Sequence, residues 1–173
     1  FGDLEVINSG SVFELDSRTM ALIRQICLGK KISTIHFESH YLYRDRIPAL
    51  RKAFADFRLK LKLGLETFDR DFRENVLKKG IPEEEPALIA KDFDEANFLF
   101  GIKGQTVASM ERDIALGLSC FERICVNIMC PNTSGLAPDD DVTSLFLKEL
   151  YPRYREDERV DILIQNTDFG VGD

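Results

Sequence analysis

Glu66 closes one of the most apolar segments of this 173-residue sequence with a carboxylate. Residues 59–66 read Leu-Lys-Leu-Lys-Leu-Gly-Leu-Glu, and a short run of this kind predicts a strand. At the rim of a sheet, the two carboxylate oxygens could accept hydrogen bonds from two adjacent hydroxyls, such as those of a ribose. A lone glutamate in this position can equally cap a helix or join an ion pair, so the residue type alone leaves both roles open.

A glycine-containing turn follows a second apolar run. Residues 101–106 read Gly-Ile-Lys-Gly-Gln-Thr and lie between a predicted strand and a helical pattern. Backbone N–H groups and one side chain of such a turn could bind a ligand, because glycine lets the backbone approach it closely. Short turns with glycine are common, so this segment is a candidate site only in combination with others.

Histidine and cysteine offer fewer candidates. His40 lies where a predicted strand ends and could act in acid–base chemistry, whereas His36 alternates with Phe37 inside that strand and is expected to be a core or face residue. The four cysteines contain no C-x2-C pair, so a zinc site of the usual kind is not expected. Only Cys130 lies near the rim, where we expect a space-filling thiol. The sequence has no nucleophile–base pair and no G-x4-G-K-[ST] phosphate loop.

Six short apolar runs, rich in Ile, Leu, Val and Phe, are expected to form strands. In one of them Leu and Lys alternate strictly, which predicts that one face of that strand lies nearer to solvent. The runs are residues 4–8, 34–38, 59–66, 97–103, 124–130 and 160–165.

Helical patterns separate the six runs. We expect Asp16 or Ser17 to cap the first helix, Gly29 to end it, and Asp45 to cap the second. Met20, Leu22, Ile23, Ile26 and Cys27 form the apolar stripe of the first helix. The remaining helices are predicted around residues 72–77, at 87–90, at 107–121 and after the acidic residues 139–141.

This alternation of strands and helices predicts an α/β fold with a parallel sheet and right-handed crossovers. A complete eight-fold barrel takes about 250 residues, so six strands indicate an open sheet or a partial TIM-type (βα) barrel. Ligands of such folds bind at the carboxyl ends of the strands. The residues there are polar in all six cases: 8–11, 38–40, 66–67, 103–106, 132–135 and 166–168.

Composition and charge narrow the class of protein. Apolar residues make up 44% and charged residues 31%, which excludes a disordered, collagen-like or membrane-embedded chain. A net charge of −7 argues against a non-specific binder of bare nucleic acid. The sparse cysteines favour a reducing, cytoplasmic location over an extracellular disulfide framework. Because a strand pattern follows Phe1 almost at once, we interpret the sequence as a piece of a longer protein.

Four segments, in the right order and with the right helices between them, resemble the radical S-adenosylmethionine (SAM) superfamily. The core of that superfamily is a partial barrel of six βα units. Lys103 stands where many members have proline in a G-x-P-G-Q-T turn. The resemblance covers residues 3–135: residues 6–11 are similar to the second strand of the family, 63–80 to the fourth strand and its helix, 100–106 to the fifth strand and its turn, and 124–132 to the sixth strand.

The resemblance implies cofactor-binding roles for residues at four strand ends. Ser9, Gly10 and Ser11 would lie where the family binds the methionine amino group of SAM. Glu66 would face the ribose, and Lys79 would meet the carboxylate of the cofactor.

The adenine side of the cofactor is implied in the same way. Ile102 and the turn through Gln105 would line the adenine, with the backbone from Cys130 to Asn132 nearby. The resemblance also implies a small-molecule cofactor, SAM, and an electron donor such as flavodoxin or ferredoxin.

One family feature is missing from the sequence. The superfamily holds a [4Fe–4S] cluster on a C-x3-C-x2-C loop after its first strand, because three thiolates leave one iron open to SAM. No such loop occurs here. Since residues 8–11 match the second strand, we expect the loop upstream of Phe1. With that loop the parent protein would reductively cleave SAM to a 5′-deoxyadenosyl radical and modify a substrate; this piece alone is expected to be inactive.

Two other interpretations stay open. Residues 126–136 also resemble the N-x-x-x-P-N-T-x-G-L strand end of dihydroorotate dehydrogenases, which bind FMN in a complete barrel. A non-catalytic α/β module that kept the fold and lost the chemistry is the third possibility.

In the leading interpretation residues 1–173 form one partial-barrel domain, lacking its first βα unit, and residues 136–173 add a helix and a strand beyond the family core. Residues 38–40 resemble members that act on transfer RNA, which the negative charge does not favour.

Overall fold

The computed structural model describes residues 2–8, 10–131 and 135–165. Six strands form one sheet, in which all neighbours are parallel and the strand order follows the chain. The sheet curls into a half-barrel, so the predicted α/β fold with a partial TIM-type barrel is confirmed. The strands are β1 (Asp3–Val6), β2 (Thr34–Ser39), β3 (Arg58–Glu66), β4 (Glu95–Phe100), β5 (Arg123–Ile128) and β6 (Val160–Leu163).

Helices connect the strands, as parallel pairing requires. None of the described helices is long and apolar enough to cross a membrane. Shorter helical turns occupy Val12–Glu14, Tyr41–Arg46 and Phe72–Val76. The α-helices are α1 (Ser17–Lys30), α2 (Ile47–Ala53), α3 (Pro86–Ala90), α4 (Val107–Cys120), α5 (Asp140–Glu149) and α6 (Tyr151–Tyr154).

The boundaries of the first two helices differ in part from the prediction. Asp16 caps α1 by accepting a hydrogen bond from the backbone N–H of Thr19, as expected. The helix ends at Lys30, and its cap Lys31, two residues beyond the predicted Gly29, takes the left-handed conformation (φ 55°). The predicted cap Asp45 is wrong, because the helical segment already begins at Tyr41 with His40 as its cap.

The helix stripes were predicted too broadly. Ile23 and Cys27 of α1 are buried, whereas Leu22 and Ile26 are about half exposed, with 48% and 54% of their surface accessible. A single helix layer against a curled sheet buries a narrow stripe, so residues at the edge of the predicted face stay in solvent.

The two faces of the sheet differ in chemistry. Alternate residues of each strand point to opposite faces, and one set is apolar and packs against the helices. In β3 this set is Leu59, Leu61, Leu63 and Leu65, all buried. The other set points into the concave side of the half-barrel and is rich in charged side chains. Among these are Glu5, His36, Glu38, Lys60, Lys62, Glu95, Arg123 and Asp161.

The concave face corrects the prediction for the lysines of β3. Lys60 and Lys62 were expected on a face nearer to solvent, but only 8% of each side chain is exposed. The ammonium of Lys60 pairs with Glu122, and that of Lys62 pairs with Glu5. The alternation of Leu and Lys therefore marks a helix-covered face and an enclosed, ion-paired face, because the sheet curls around the lysines.

Candidate functional site

A cavity of about 510 Å³ opens at the carboxyl ends of β2 and β3. This is the end at which parallel α/β folds bind ligands. Of the residues predicted to bind a cofactor, the structure brings Gly10, Ser11 and Lys79 into its wall. The wall also includes Glu14, Glu38, Ser39, His40, Leu42, Tyr43, Gly64, Lys78 and Gly80.

Three charged groups converge over Gly64 at the carboxyl end of β3. A Cβ atom on this glycine would lie 3.4 Å from Glu38 Oε1, 3.4 Å from Lys79 Nζ and 3.6 Å from Glu66 Oε1. The missing side chain therefore leaves room for a carboxylate–ammonium–carboxylate cluster on the floor of the cavity.

The Glu66–Lys79 pair is the centre of this cluster. Lys79 Nζ lies 3.0 Å from Glu66 Oε1, and about one fifth of each side chain is exposed (22% and 19%). The backbone of Glu66 is left-handed (φ 71°) where the register of β3 and β4 shifts between Gly64 and Glu66. A β-bulge re-aims a side chain at the end of a strand, and here it turns Glu66 toward Lys79. The pair offers a cation and a carboxylate to a polar ligand.

A buried aspartate fixes the loop that follows Glu66. Asp113 of α4 accepts hydrogen bonds from Thr67 Oγ1 (2.7 Å) and from the backbone N–H of Phe68 (2.9 Å). Burial raises the pKa of Asp113 to about 6, although both hydrogen bonds act in the opposite direction. The loop is thereby attached to α4 directly behind the Glu66 carboxylate.

A buried arginine holds the same loop from its other side. The guanidinium of Arg73 is fully buried and donates to the carbonyls of Thr67 (3.1 Å), Ile81 (2.9 Å) and Glu83. Because Thr67 and Ile81 lie on either side of it in the chain, Arg73 also joins the two ends of the segment that carries Lys79. Asp113 and Arg73 together fix the distance between Glu66 and Lys79. The spacing of residues in the sequence did not predict this role, because both side chains bind backbone groups of the loop.

Of the predicted residues after β1, Gly10 and Ser11 lead into the short helical turn Val12–Glu14, which Ser11 caps. Ser11 Oγ donates to Ser39 Oγ (3.3 Å) and accepts from the backbone N–H of Phe13 (3.4 Å), so the side chain is buried and already paired. A Cβ on Gly10 would come within 2.3 Å of the carboxylate of Glu14, which is an exposed side chain that can move aside. Ser9 lies outside the described residues.

The glycine-containing turn after β4 is held by its own glutamine. Gln105 Oε1 accepts from the backbone N–H of Ile102 (3.0 Å), and its amide donates to the carbonyl of Leu99 (2.8 Å). Gly101 and Gly104 take positive φ values of 87° and 100°, which glycine adopts readily. The Ile102 and Gln105 side chains are both buried, so the described turn would present backbone to a ligand.

The last predicted site residues follow β5. Cys130 is half-buried, with its Sγ 3.6 Å from the carbonyl of Ile128. Asn132 lies outside the described residues, as do the two residues that follow it.

His40 is built into the fold and is a poor acid–base candidate. Its Nδ1 accepts from the backbone N–H of Leu42 (3.1 Å), and its Nε2 donates to the carbonyl of Lys79 (2.8 Å). Burial, followed by the charge of Lys79, lowers the pKa of His40, which keeps the ring neutral. The ring therefore positions the backbone of Lys79, and the expected acid–base role has no support in this geometry.

Glu38 was not predicted to bind a ligand from its residue type. Burial and the neighbouring Glu66 raise the pKa of Glu38, and Asn97 Nδ2 donates to its Oε2 (3.1 Å). The sequence signal that could have identified Glu38 is its position, because it lies two residues after His36 and therefore on the same face of β2.

The described residues contain no group of three or more His, Cys, Asp or Glu side chains placed to hold a metal ion. Burial raises the pKa of Cys125 to about 12, so this thiol stays protonated at neutral pH and is a poor cluster ligand. The part of the chain that the structure describes thus fits an organic ligand with charged groups and does not fit an iron–sulfur cluster.

Comparison with solved structures finds a queuine lyase from Clostridium spiroforme bound to SAM and queuine. The two chains superpose with a TM-score of 0.91 and are 39% identical; the match covers 99% of this chain and 74% of the other. Comparison with protein-family models and with curated proteins gives no match. Identity at this level over almost the whole chain shows common descent as well as a common fold.

Proposed function

Because the chain belongs to the radical SAM superfamily, we propose that its half-barrel is the SAM-binding body of a radical SAM enzyme. The observation that carries the proposal is the Glu66–Lys79 ion pair over Gly64, in a cavity at the carboxyl ends of the strands. This membership favours SAM over the FMN alternative that residues 126–136 suggested.

The chemistry of the cavity matches the groups of SAM. The cofactor carries a carboxylate, an ammonium, a sulfonium and a ribose diol. We assign the carboxylate to Lys79 and the diol to Glu66, since an ammonium binds a carboxylate and a carboxylate accepts from two hydroxyls. The turn of Ser9, Gly10 and Ser11 is assigned to the ammonium. The Glu66–Lys79 pair then preforms the site, because each partner holds the other in place until the ligand separates them.

The adenine is assigned to the backbone of the turn after β4 and of the segment after β5. Gln105 would act indirectly, because its side-chain amide fixes the carbonyl of Leu99 and the N–H of Ile102 in the turn. Cys130 and Asn132 complete the assignment through their backbone groups.

The redox part of the reaction needs groups from outside residues 1–173, because the C-x3-C-x2-C loop does not occur in them. We propose that a [4Fe–4S] cluster held elsewhere in the protein, and reduced by a flavodoxin- or ferredoxin-type donor, completes the site. When bound and supplied with one electron from the cluster, SAM would provide the carbon-radical chemistry that removes hydrogen from a substrate. The role of the described chain is to bind SAM, orient it and keep water from it.

The substrate is proposed from the similar structure. That queuine lyase is bound to queuine, and at 39% identity we propose that this chain acts on queuine or on a closely related 7-deazaguanine. Such a base is small and polar, which suits the charged concave face below the cavity.

The proposal is tested by SAM binding to the chain and to two variants. Lys79→Met removes the cation assigned to the carboxylate, and Glu66→Gln removes the acceptor assigned to the diol. We expect each variant to weaken SAM binding about tenfold or more, because a charge-assisted hydrogen bond is worth about 1.5–3 kcal/mol. Isothermal titration calorimetry measures the affinities.

Lys52→Met is the matched control, since Lys52 is an exposed lysine of α2 outside the cavity wall. A chain that does not bind SAM at all would support the non-catalytic module instead. If SAM binds but the protein supplied with its cluster and a reductant forms no 5′-deoxyadenosine, the site is a cofactor site without the proposed chemistry.

A further inference from the structure

Resting on the proposed function, we infer that Glu38 binds a protonated amine of the substrate in the cavity that also takes SAM. Glu38 lines that cavity together with Gly64 and Lys79. Its carboxylate lies over Gly64, where a Cβ atom would be 3.4 Å from Glu38 Oε1. A substrate held beside SAM therefore meets this side chain within the same cavity.

One oxygen of Glu38 is held by the fold, and the other is left to the cavity. Asn97 Nδ2 donates to Oε2 (3.1 Å), and among the described residues no other group hydrogen-bonds this carboxylate. Asn97 on β4 is the register partner of Gly64. Because Gly64 has no side chain, the amide reaches across β3 to Glu38. The carboxylate is thereby oriented before a ligand arrives, with Oε1 as its remaining acceptor.

The charges around Glu38 leave it without a cation of its own. The ammonium of Lys79 pairs with Glu66 (3.0 Å), that of Lys62 pairs with Glu5, and the described residues form no ion pair with Glu38. Burial and the charge of Glu66 raise the pKa of Glu38, so its negative charge is not fully compensated. In the SAM complex Lys79 is also assigned to the carboxylate of the cofactor. A cationic ligand group beside Oε1 would supply the missing positive charge.

The single available oxygen selects the kind of donor. The ring N–H and the exocyclic amine of a guanine-type base stand side by side and match both oxygens of one carboxylate. Glu38 has one oxygen engaged by Asn97, so it is suited to a ligand with one strong donor. An alkylammonium is such a donor, and its charge strengthens the hydrogen bond.

The substrate class proposed above includes an amine of this kind. Queuine carries a secondary amine on the substituent of its 7-deazaguanine, and an alkylamine is mostly cationic at neutral pH, like the side chain of lysine. SAM has an ammonium too, but that group is assigned to the turn of Ser9, Gly10 and Ser11. We therefore assign Glu38 to the substrate amine.

The test compares two bases that differ at one group. 7-Aminomethyl-7-deazaguanine carries the ammonium, whereas 7-ethyl-7-deazaguanine has a methyl group of similar size in its place. The full chain is saturated with SAM and kept without a reductant, so that binding alone is measured by calorimetric titration. We expect the amine to bind at least about tenfold more tightly, because only the ammonium makes a charge-assisted hydrogen bond to Oε1.

Variants assign this preference to Glu38. Glu38→Gln keeps the size of the side chain and an oxygen for Asn97 but removes the charge, so the preference should fall below about threefold while SAM affinity stays unchanged. Glu38→Asp keeps the charge but withdraws it by one methylene, and its preference should lie between those of the wild-type chain and Glu38→Gln. Glu122→Gln is the matched control, because it removes the same charge at the cavity on the opposite end of the barrel and should keep the preference.

The outcomes separate this inference from the proposed function. Equal affinity of the wild-type chain for the two bases, or binding of neither base, would overturn the inference, and this comparison needs no variant to fold. An unchanged preference in Glu38→Gln would overturn it as well; weaker SAM binding by that variant would then assign Glu38 to the ammonium of SAM. A wild-type chain that does not bind SAM would instead overturn the proposed function.

Discussion

At the scale of single residues, the Glu66–Lys79 pair of the candidate site is held in place by residues that lie outside it. Lys79 lines the cavity and pairs with Glu66, while Asp113 and Arg73 are buried and hold the backbone of the segment between these two residues. A buried aspartate and a buried arginine are expensive to desolvate, and each is stabilised here by hydrogen bonds to the loop. The loop geometry therefore depends on two charged residues outside the site.

Asp113→Asn tests this dependence through pH. The pKa of Asp113 is about 6 in the folded chain and 3.8 for the free side chain. Between these values the folded state holds a proton that the unfolded state has lost, so the free energy of unfolding falls as the pH rises from about 4 to about 6. The fall from this group is on the order of 3 kcal/mol, and above pH 6 it is complete. Urea unfolding of Asp113→Asn at pH 4 and pH 7 should lack this part of the change.

Asp71→Asn is the control for Asp113, because Asp71 is an exposed aspartate of the same loop. A variant Asp113→Asn with the pH dependence of the wild-type chain would show that Asp113 is ionised in the folded state throughout this range.

At the scale of elements, the connections after the strands decide where backbone is available to a ligand. The turn after β4 combines two glycines at positive φ with the internal hydrogen bonds of Gln105. This turn buries the side chains of Ile102 and Gln105 and leaves backbone exposed, and it ends at Thr106, which caps α4. The rigidity of this connection is part of the proposed adenine site.

Gly101→Ala is expected to destabilise this turn. The backbone φ of 87° is unfavourable for alanine, and the new Cβ would lie 2.6 Å from Thr143 Oγ1. We expect a loss of about 1–3 kcal/mol in the free energy of unfolding, measured in urea, together with weaker SAM binding.

Gly29→Ala in α1 is the opposite case, because nothing lies within 4 Å of its added Cβ. There alanine should stabilise the helix by up to about 1 kcal/mol. Equal effects at the two positions would contradict this account.

At the scale of the whole molecule, the half-barrel encloses charge instead of an apolar core on its concave side. Lys62 connects β3 to β1 through Glu5 and lies near Glu38 on β2. Apolar packing is confined to the convex side, where the helices cover the sheet. The barrel therefore stays curled around ion pairs whose partners come from distant parts of the chain.

Lys62→Met tests how far these pairs stabilise the fold. Methionine fits the volume but leaves Glu5 and Glu38 without their shared cation. Removing one partner of a fully buried pair costs about 3–5 kcal/mol; because 38% of the Glu5 side chain is exposed, we expect a smaller loss, about 1–2 kcal/mol, in urea unfolding. Lys52→Met, at an exposed position, should change stability by less than about 0.5 kcal/mol. A loss no larger than that of the control would mean that the concave charges are solvated.

Part of the candidate site was predictable from the sequence. The other part was not, because it depends on contacts between distant parts of the chain. Glu66 and Gly10 were identified at strand ends, which depend on a few consecutive residues, and Lys79 was identified from the family resemblance. The roles of Glu38, Arg73 and Asp113 were missed, since each depends on a contact between residues that lie on different elements.

Local sequence patterns were sufficient to predict the order of the six strands and their helices, the parallel sheet and the family resemblance, and they place the expected site at the carboxyl ends of the strands. Periodicity, caps and turn residues act over a few positions and can be interpreted without neighbours. Only the tertiary structure decided which face of β3 is enclosed, that His40 is occupied by backbone bonds, and that Glu95 keeps an unused oxygen. Those outcomes follow from the curl of the sheet, which brings together charges from strands that are far apart in sequence.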